Sequence, residues 1–114
     1  MVLIKHDFDT KHADDAVRRI DRWAMSHPDD GSTFNFFSWQ AAEHTEVLDK
    51  AETYAKRSIA LATSASEKAG YMDTRAEILF RRGQNSEASK VEANAIALLD
   101  PGKDKKLYAE LTAR

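Results

Sequence analysis

The chain contains no cysteine among its 114 residues, which excludes disulfide bonds, thiolate metal sites and thiol chemistry. The lack of cysteine is compatible with a reducing cytoplasm, which we favour, but it leaves the compartment open. No apolar run approaches the roughly 18 residues that a membrane helix needs. The stretch Met1–Ile4 is also too short for the apolar region of a signal peptide. We therefore expect a soluble chain with no membrane partner.

Neither positive nor negative charge dominates, because 17 Lys and Arg residues and 19 Asp and Glu residues give a formal net charge of −2. Non-specific phosphate binding depends on basic side chains that neutralise phosphates, so a nucleic-acid partner is disfavoured. Motifs with defined chemistry are missing too, namely a Gly-rich phosphate loop, G-x-S-x-G and H-E-x-x-H. These absences predict a protein that is not an enzyme and that holds neither a cofactor nor a metal ion.

The sequence has instead the periodicity of amphipathic helices, which is clearest in Tyr71–Asp100. Apolar residues recur there at three- and four-residue steps, as a helix with one buried face requires. Ser64, with a glutamate three residues later, predicts a capping box for a helix over about 65–82, and Gly83 predicts the end of that helix. Asn85 is placed to cap a second helix. The short turn between them predicts an antiparallel pair.

Similar apolar stripes predict four further helices, and together they indicate an all-α fold. We expect these helices at about 13–26, 32–44, 46–62 and 103–113. The last would cover the exposed face of the preceding hairpin as a capping helix. We assign residues 1–12 to an N-terminal extension or to the remnant of a preceding helix, and residues 13–114 to one helical domain.

Alanine-bearing helices recur along the chain at a nearly constant spacing. Aligning the chain with itself places Ala16, Ala51 and Ala88 at equivalent positions, 35 and 37 residues apart. Helix-turn-helix units with a period in the mid-thirties resemble the tetratricopeptide repeat (TPR) family. Ala16-x3-Ile20, followed by Pro28, is similar to the second helix of that family. The resemblance implies an α-solenoid of helical hairpins, with about two and a half repeats plus a C-terminal capping helix.

The resemblance also extends to the first helices of the repeats. Met72-x2-Arg75-Ala76-x2-Leu79 keeps the large, small, large order of a first helix. One departure lies in the second helix of the last repeat, where Glu92 replaces the expected large residue.

In the TPR family, first helices line a concave groove that holds a peptide. Carried over to this chain, the resemblance implies a groove lined by Phe36, Gln40, Glu43, His44, Asp73, Glu77, Phe80 and Arg81. Independently of the resemblance, helical spacing places the groove residues of each helix on one face of that helix. Only Arg81 among them is basic, so the clamp with which some family members hold a terminal carboxylate is absent. The acidic and aromatic content favours a basic or amphipathic peptide or helix.

We therefore predict a non-catalytic protein–protein interaction module. The alternative is a structural or self-association unit, in which the apolar N-terminal strip and the last helices pair two protomers into a homo-oligomer.

The sequence also offers two candidate sites for catalysis or metal binding, which we consider weaker than these two functions. His44 beside Glu43 has the position of a general base, but a surface histidine at a helix end is the preferred interpretation. A possible metal site combines His6, Asp7, Asp9, His12, Asp14 and Asp15; we prefer to explain its last two members as anions at a helix N-terminus.

Overall fold

In a computed structural model of the chain, residue 4, residues 12–44 and residues 47–113 are described. These residues form six α-helices and no strand, which confirms the all-helical prediction. The helices are α1 (Ala13–Ser26), α2 (Gly31–Ala42), α3 (Leu48–Ala60), α4 (Ala65–Arg81), α5 (Asn85–Ala97) and α6 (Lys105–Thr112). The predicted N-terminal extension falls on residues 1–12, which lie outside the described residues except for Ile4 and His12.

Two helices begin at side-chain caps. The Asp30 carboxylate caps α2 by accepting hydrogen bonds from the backbone N–H of Thr33 at 3.1 Å and from its hydroxyl at 2.8 Å. Ser32, at the predicted start of this helix, lies in the first turn of α2 and donates to Asp30. The cap of α4 is the predicted one, since the Ser64 hydroxyl accepts the backbone N–H of Glu67 at 3.0 Å.

The turn between α4 and α5 is a Schellman motif. Gly83 has a φ of 79°, in the left-handed region that favours glycine. Its N–H donates to the carbonyl of Phe80, and the N–H of Gln84 donates to the carbonyl of Leu79. Because this motif ends α4 so abruptly, α5 begins at once with Asn85 as its first residue. The prediction that Asn85 caps α5 is therefore wrong, because Gln84 occupies the cap position.

The helices pack in chain order. Helix α2 packs along α3, α3 packs against α4, and α4 packs along α5. Helix α2 also contacts α4, and α6 contacts both α4 and α5. The molecule measures 41 by 30 by 19 Å along its principal axes. Its smallest dimension suits two layers of helices, because packed helices lie about 8–10 Å apart.

The N-terminal layer (α1 to α3) has an aromatic core. Phe34 and Phe37 are 1% and 0% exposed, and the Trp23 ring meets both edge-to-face at centroid distances of 5.4 and 5.2 Å. The Tyr54 hydroxyl donates to the Asp21 carboxylate at 3.2 Å and so ties α3 to α1. Burial, reinforced by the negative charge of Asp21, raises the pKa of Tyr54 above its usual range.

The C-terminal layer (α4 to α6) has two clusters of buried residues, in which alanines pack with leucine and valine. One cluster of buried residues joins α4 to α5 through Ala76, Leu79, Ala88 and Val91. A second joins α4, α5 and α6 through Ala69, Ala95, Leu99 and Leu111. In this cluster α6 contributes the fully buried Leu111, as predicted for the inward face of a capping helix. Leu98 is 37% exposed and lies at the C-cap, just after α5 ends at Ala97.

Candidate peptide-binding groove

Helices α4 and α5 frame a groove of about 340 Å³. We call it the acidic groove and define it by its lining residues Asp73, Ala76, Glu77, Phe80, Ala88, Ser89 and Glu92. The α4 residues follow i, i+3, i+4 and i+7 spacing, so they share one face of the helix. The buried alanines Ala76 and Ala88 let the two helices approach closely. The groove therefore has a small apolar floor and longer polar and aromatic walls.

Three carboxylates give this groove its negative charge. Asp73 is 6% exposed and lies deepest, while Glu77 keeps 37% of its side chain exposed. Glu92 contributes a third carboxylate from α5 and is half-buried. None of the residues lining the groove is basic. A concave surface lined by charges of one sign concentrates the electrostatic potential and attracts ligands of the opposite sign.

Phe80 stands at the edge of the acidic groove with 61% of its surface exposed. A phenylalanine gains free energy when it is removed from water, at about 25 cal/mol per Å² of apolar surface. Large hydrophobic residues that stay exposed beside polar ones are typical of interaction sites. The ring is therefore the natural apolar anchor for a ligand in this groove.

Arg81 was predicted to line the groove, and the structure gives it another contact. Its guanidinium donates a hydrogen bond to the carbonyl oxygen of Ala42 at 2.8 Å, at the C-terminal end of α2. Its Nε donates to the Glu77 carboxylate at 3.2 Å. Arg81 thus joins α4 to α2 and satisfies a carbonyl that a helix end leaves without a partner. Both contacts direct the guanidinium to the protein itself.

The other predicted groove residues lie on α2 and at its C-terminal end, outside the acidic groove. Phe36 is 42% exposed and packs beside the Phe37 ring at 6.1 Å. It lies on the outer side of α2, whereas the neighbouring Phe34 and Phe37 are buried. Gln40 and His44 are half-buried, and Glu43 is the exposed C-cap residue of α2. The structure therefore groups Asp73, Glu77 and Phe80 in one cavity and places the α2 residues elsewhere.

Sequence reasoning missed the contribution of α5 to the acidic groove. Ala88, Ser89 and Glu92 line it, although only first helices were expected to do so. A signal was present, because Glu92 departs from the large residue that the repeat pattern calls for at its position. A carboxylate in place of a large apolar side chain leaves both space and charge between two helices.

A second and larger cavity of about 790 Å³ lies near the α4–α5 turn. It is lined by Glu52, Lys56, Arg75, Leu79, Gly83, Gln84, Asn85, Ser86 and Glu87. Its charges are mixed, and Glu52 already accepts from Arg82 at 3.1 Å and lies 3.7 Å from the Lys56 ammonium. No large exposed hydrophobic residue borders it. It therefore offers a ligand less charge contrast and less apolar area than the acidic groove.

Within the described ranges 12–44 and 47–113, no group of three or more His, Cys, Asp or Glu side chains is arranged to hold a metal ion. Three members of the predicted metal cluster, His6, Asp7 and Asp9, lie outside those ranges. None of the helices that the structure describes has both the length and the apolar character needed to cross a bilayer.

No protein-family model matches the chain, and comparisons with curated proteins and with solved structures find no match either.

Proposed function

We propose that this chain is a non-catalytic protein-interaction module, built from tandem helical hairpins of the TPR type, whose acidic groove binds a basic amphipathic segment of another polypeptide. The proposal rests mainly on one observation, the exposed ring of Phe80 beside three carboxylates. The groove's one hydroxyl nucleophile, Ser89, has neither an imidazole nor an amine among the lining residues to activate it. Binding therefore fits this arrangement better than covalent catalysis.

The packing of the helices supports the repeat arrangement. Each described helix from α2 to α5 contacts the next one in the chain, and the two proposed first helices, α2 and α4, also contact each other. The three alanines at equivalent repeat positions are buried, with exposures of 0% for Ala16, 0% for Ala51 and 6% for Ala88. Small residues at these positions allow neighbouring helices to approach closely. Hairpins that stack in this way bury a continuous core along a short solenoid.

The ligand class follows from the chemistry of the acidic groove. Lys or Arg side chains on a partner would be attracted to the acidic side of the groove, where Glu77 already accepts from Arg81, and an apolar side chain would cover Phe80. A helix presents such groups on one face at three- and four-residue steps, which matches the spacing of the groove residues on α4. Packing a helix with one apolar face into a groove is a recurring mode of recognition.

A binding titration tests this function. The probe is a labelled synthetic helical peptide with two arginines four residues apart and a leucine three residues further on, and its control has glutamates in place of the arginines. Fluorescence anisotropy should show the basic peptide binding more tightly than the acidic one. Phe80→Ala should weaken binding of the basic peptide about tenfold or more, as removal of a central anchor does.

The matched control is Phe36→Ala, which removes an exposed phenylalanine outside the acidic groove. It should change the affinity less than about threefold, since peripheral residues contribute little to binding. Equal binding of the two peptides would overturn the proposal. Equal losses in the Phe80 and Phe36 variants would overturn the placement of the site.

Self-association is the second candidate function. The self-association predicted from the sequence used the N-terminal apolar strip. Only Ile4 of this strip lies within the described residues, and it is buried in the N-terminal core. The last helices, the other part of that prediction, leave Leu98 37% exposed.

A further inference from the structure

The protein already pairs one of the carboxylates of the acidic groove with a cation of its own. Asp73 is only 6% exposed, whereas the Glu77 side chain keeps 37% of its surface exposed, so a ligand reaches Glu77 more readily. The Nε of Arg81 donates to Oε1 of Glu77 at 3.2 Å. Arg81 is not among the residues that line the groove. Its positive charge therefore acts on the groove from outside it.

The pair between Arg81 and Glu77 is better held than an ordinary surface ion pair. Exposed pairs are usually weak, because two long side chains lose freedom when they keep one geometry. Arg81 has a second contact, the 2.8 Å hydrogen bond from its Nη1 to the carbonyl oxygen of Ala42, so part of that freedom is already lost. The glutamate also precedes the arginine by four residues, which is the favourable order on a helix. The pair should therefore persist in the protein without ligand.

A basic side chain on a ligand meets the same carboxylate. A ligand guanidinium binds most strongly when it bonds both oxygens of a carboxylate, and Arg81 holds one of the two oxygens of Glu77. The charge of Arg81 also cancels part of the negative potential that attracts the ligand. A Lys or Arg of the ligand must therefore share Glu77 with Arg81 or displace the Nε of Arg81 from it.

We propose that Arg81 is an internal competitor for the basic side chain of the ligand, and that it limits both the affinity and the charge selectivity of the acidic groove. This proposal rests on the proposed function, because it assigns a residue that regulates the same site. Displacement of Nε from Glu77 leaves the hydrogen bond to Ala42 in place. The ligand can thus take the carboxylate while Arg81 still joins α4 to α2.

The sign of the effect separates competition from a purely structural role. If Arg81 only supported the groove by joining α4 to α2, its removal would loosen the groove and weaken binding. If Arg81 competes with the ligand, its removal strengthens binding, although it also removes a contact that stabilises the fold.

The test compares the affinity of wild type and Arg81→Met for two peptides by fluorescence anisotropy. One is the basic peptide described above, and the other has glutamines in place of its two arginines. At about 50 mM salt, Arg81→Met should bind the basic peptide about two- to fivefold more tightly than wild type, as expected for one exposed charge contact. Its affinity for the glutamine peptide should change less than about 1.5-fold. At about 500 mM salt the gain should shrink, because salt screens exposed charges.

Arg82→Met is the matched control. Arg82 is the next residue along the chain, and its Nη1 donates to the Glu52 carboxylate at 3.1 Å, which lines the other cavity. Its removal takes away the same charge without releasing Glu77, so the affinity for the basic peptide should change less than about 1.5-fold. Circular dichroism first checks that both variants keep the wild-type helical signal.

Two further variants show whether the effect depends on the charge and on Glu77. Arg81→Lys keeps the positive charge but has one ammonium instead of the planar fork, so its affinity should lie between those of wild type and Arg81→Met. In a Glu77→Gln background, removal of Arg81 should raise the affinity for the basic peptide less than about 1.5-fold, because no carboxylate is released there.

The possible failures separate the two proposals. Competition is overturned if Arg81→Met binds the basic peptide no more tightly than wild type, or if Arg82→Met or the glutamine peptide shows an equal gain. If Phe80→Ala still weakens binding of the basic peptide in those cases, the acidic groove stands and only the role of Arg81 is wrong. If neither wild type nor Arg81→Met prefers the basic peptide to the acidic one, both proposals are overturned.

Discussion

The two layers of this molecule differ in the largest side chains that pack beside their buried alanines, which occur in both. In the N-terminal layer, aromatic rings fill the space between helices, with Phe34 and Phe37 fully buried against Trp23. In the C-terminal layer, alanines such as Ala76 and Ala95 occupy the contacts between helices. The one phenylalanine of that layer, Phe80, points outward.

The difference explains where the candidate site lies. Alanines between α4 and α5 bring their backbones together, and the longer side chains at the edges then stand up as the walls of a groove. The acidic groove is thus a consequence of small residues in the core below it. Phe80 stays exposed at the edge of this groove, where a ligand can contact its ring.

The largest effect should come from removing an aromatic ring from the N-terminal layer. Phe37→Ala should lower the free energy of unfolding by about 3–5 kcal/mol, because it leaves a cavity in a filled core. Urea denaturation measures the change. The neighbouring Phe36→Ala removes the same ring from a 42% exposed position and should cost less than about 1.5 kcal/mol. Similar losses in the two variants would refute the distinction between core and surface in α2.

Replacing a buried alanine by a larger residue should destabilise the C-terminal layer. Ala95 is 0% exposed in the cluster between α4, α5 and α6. Ala95→Leu should lower the free energy of unfolding by about 1–3 kcal/mol, because extra methyl groups do not fit a closely packed contact. Ala97→Leu, at an exposed position on the same helix, should stay within about 0.5 kcal/mol of the wild type. If Ala95→Leu stabilised the protein instead, the helices would not be in close contact there.

A smaller effect should follow from breaking a link between the layers. Arg81→Met removes the hydrogen bond to the Ala42 carbonyl and should lower the free energy of unfolding by about 0.5–1.5 kcal/mol. Lys68→Met serves as the control, because it removes an exposed cation from the same helix. Thermal melts of the two variants give the comparison, and the prediction fails if they melt at the same temperature.

The smallest effect on stability should come from protonating the carboxylate that caps α2. Hydrogen bonds from Thr33 hold the pKa of Asp30 below its ordinary value of 3.8, whereas the Ser64 cap of α4 does not ionise. The Asp30 carboxylate therefore stabilises the folded state above about pH 4, and this contribution is lost as the pH falls through the lowered pKa.

Urea denaturation across this pH range checks the prediction about Asp30. Asp30→Asn keeps a capping oxygen but cannot titrate. The stability difference between wild type and Asp30→Asn should therefore shrink as the pH is lowered from about 6 to about 2. The loss caused by Ser64→Ala, about 1 kcal/mol, should stay constant over the same range. A difference for Asp30→Asn that does not change with pH would contradict the assignment.

The sequence predicted the helices well, because each buried stripe repeats with the period of a helix. Helix α1 has the predicted bounds, 13–26, and the predicted buried stripe. The helix ends were less certain where several polar residues competed. Asp30, rather than Ser32, caps α2, since its carboxylate reaches the Thr33 N–H. Local hydrogen bonding decides such a choice, and composition does not reveal it.

The candidate site was only partly predictable for a related reason. A stripe such as Asp73, Glu77 and Phe80 can be read from helical spacing, but the rotation of each helix against its neighbours cannot. The cavity that contains this stripe is lined on its other side by α5, which the spacing along α4 does not reveal. Long side chains are also hard to place from spacing alone, and Arg81 reaches back to the Ala42 carbonyl at the end of α2. No pattern in the sequence marks that contact.

A nuclear magnetic resonance titration with the basic peptide tests the acidic groove most directly. We predict that the largest changes in backbone amide resonances will lie in residues 73–80 and 88–92, on the two helices that line the groove. Changes centred on α2 around Phe36 and Gln40, or no changes at saturating peptide, would contradict the assignment of this groove as a binding site.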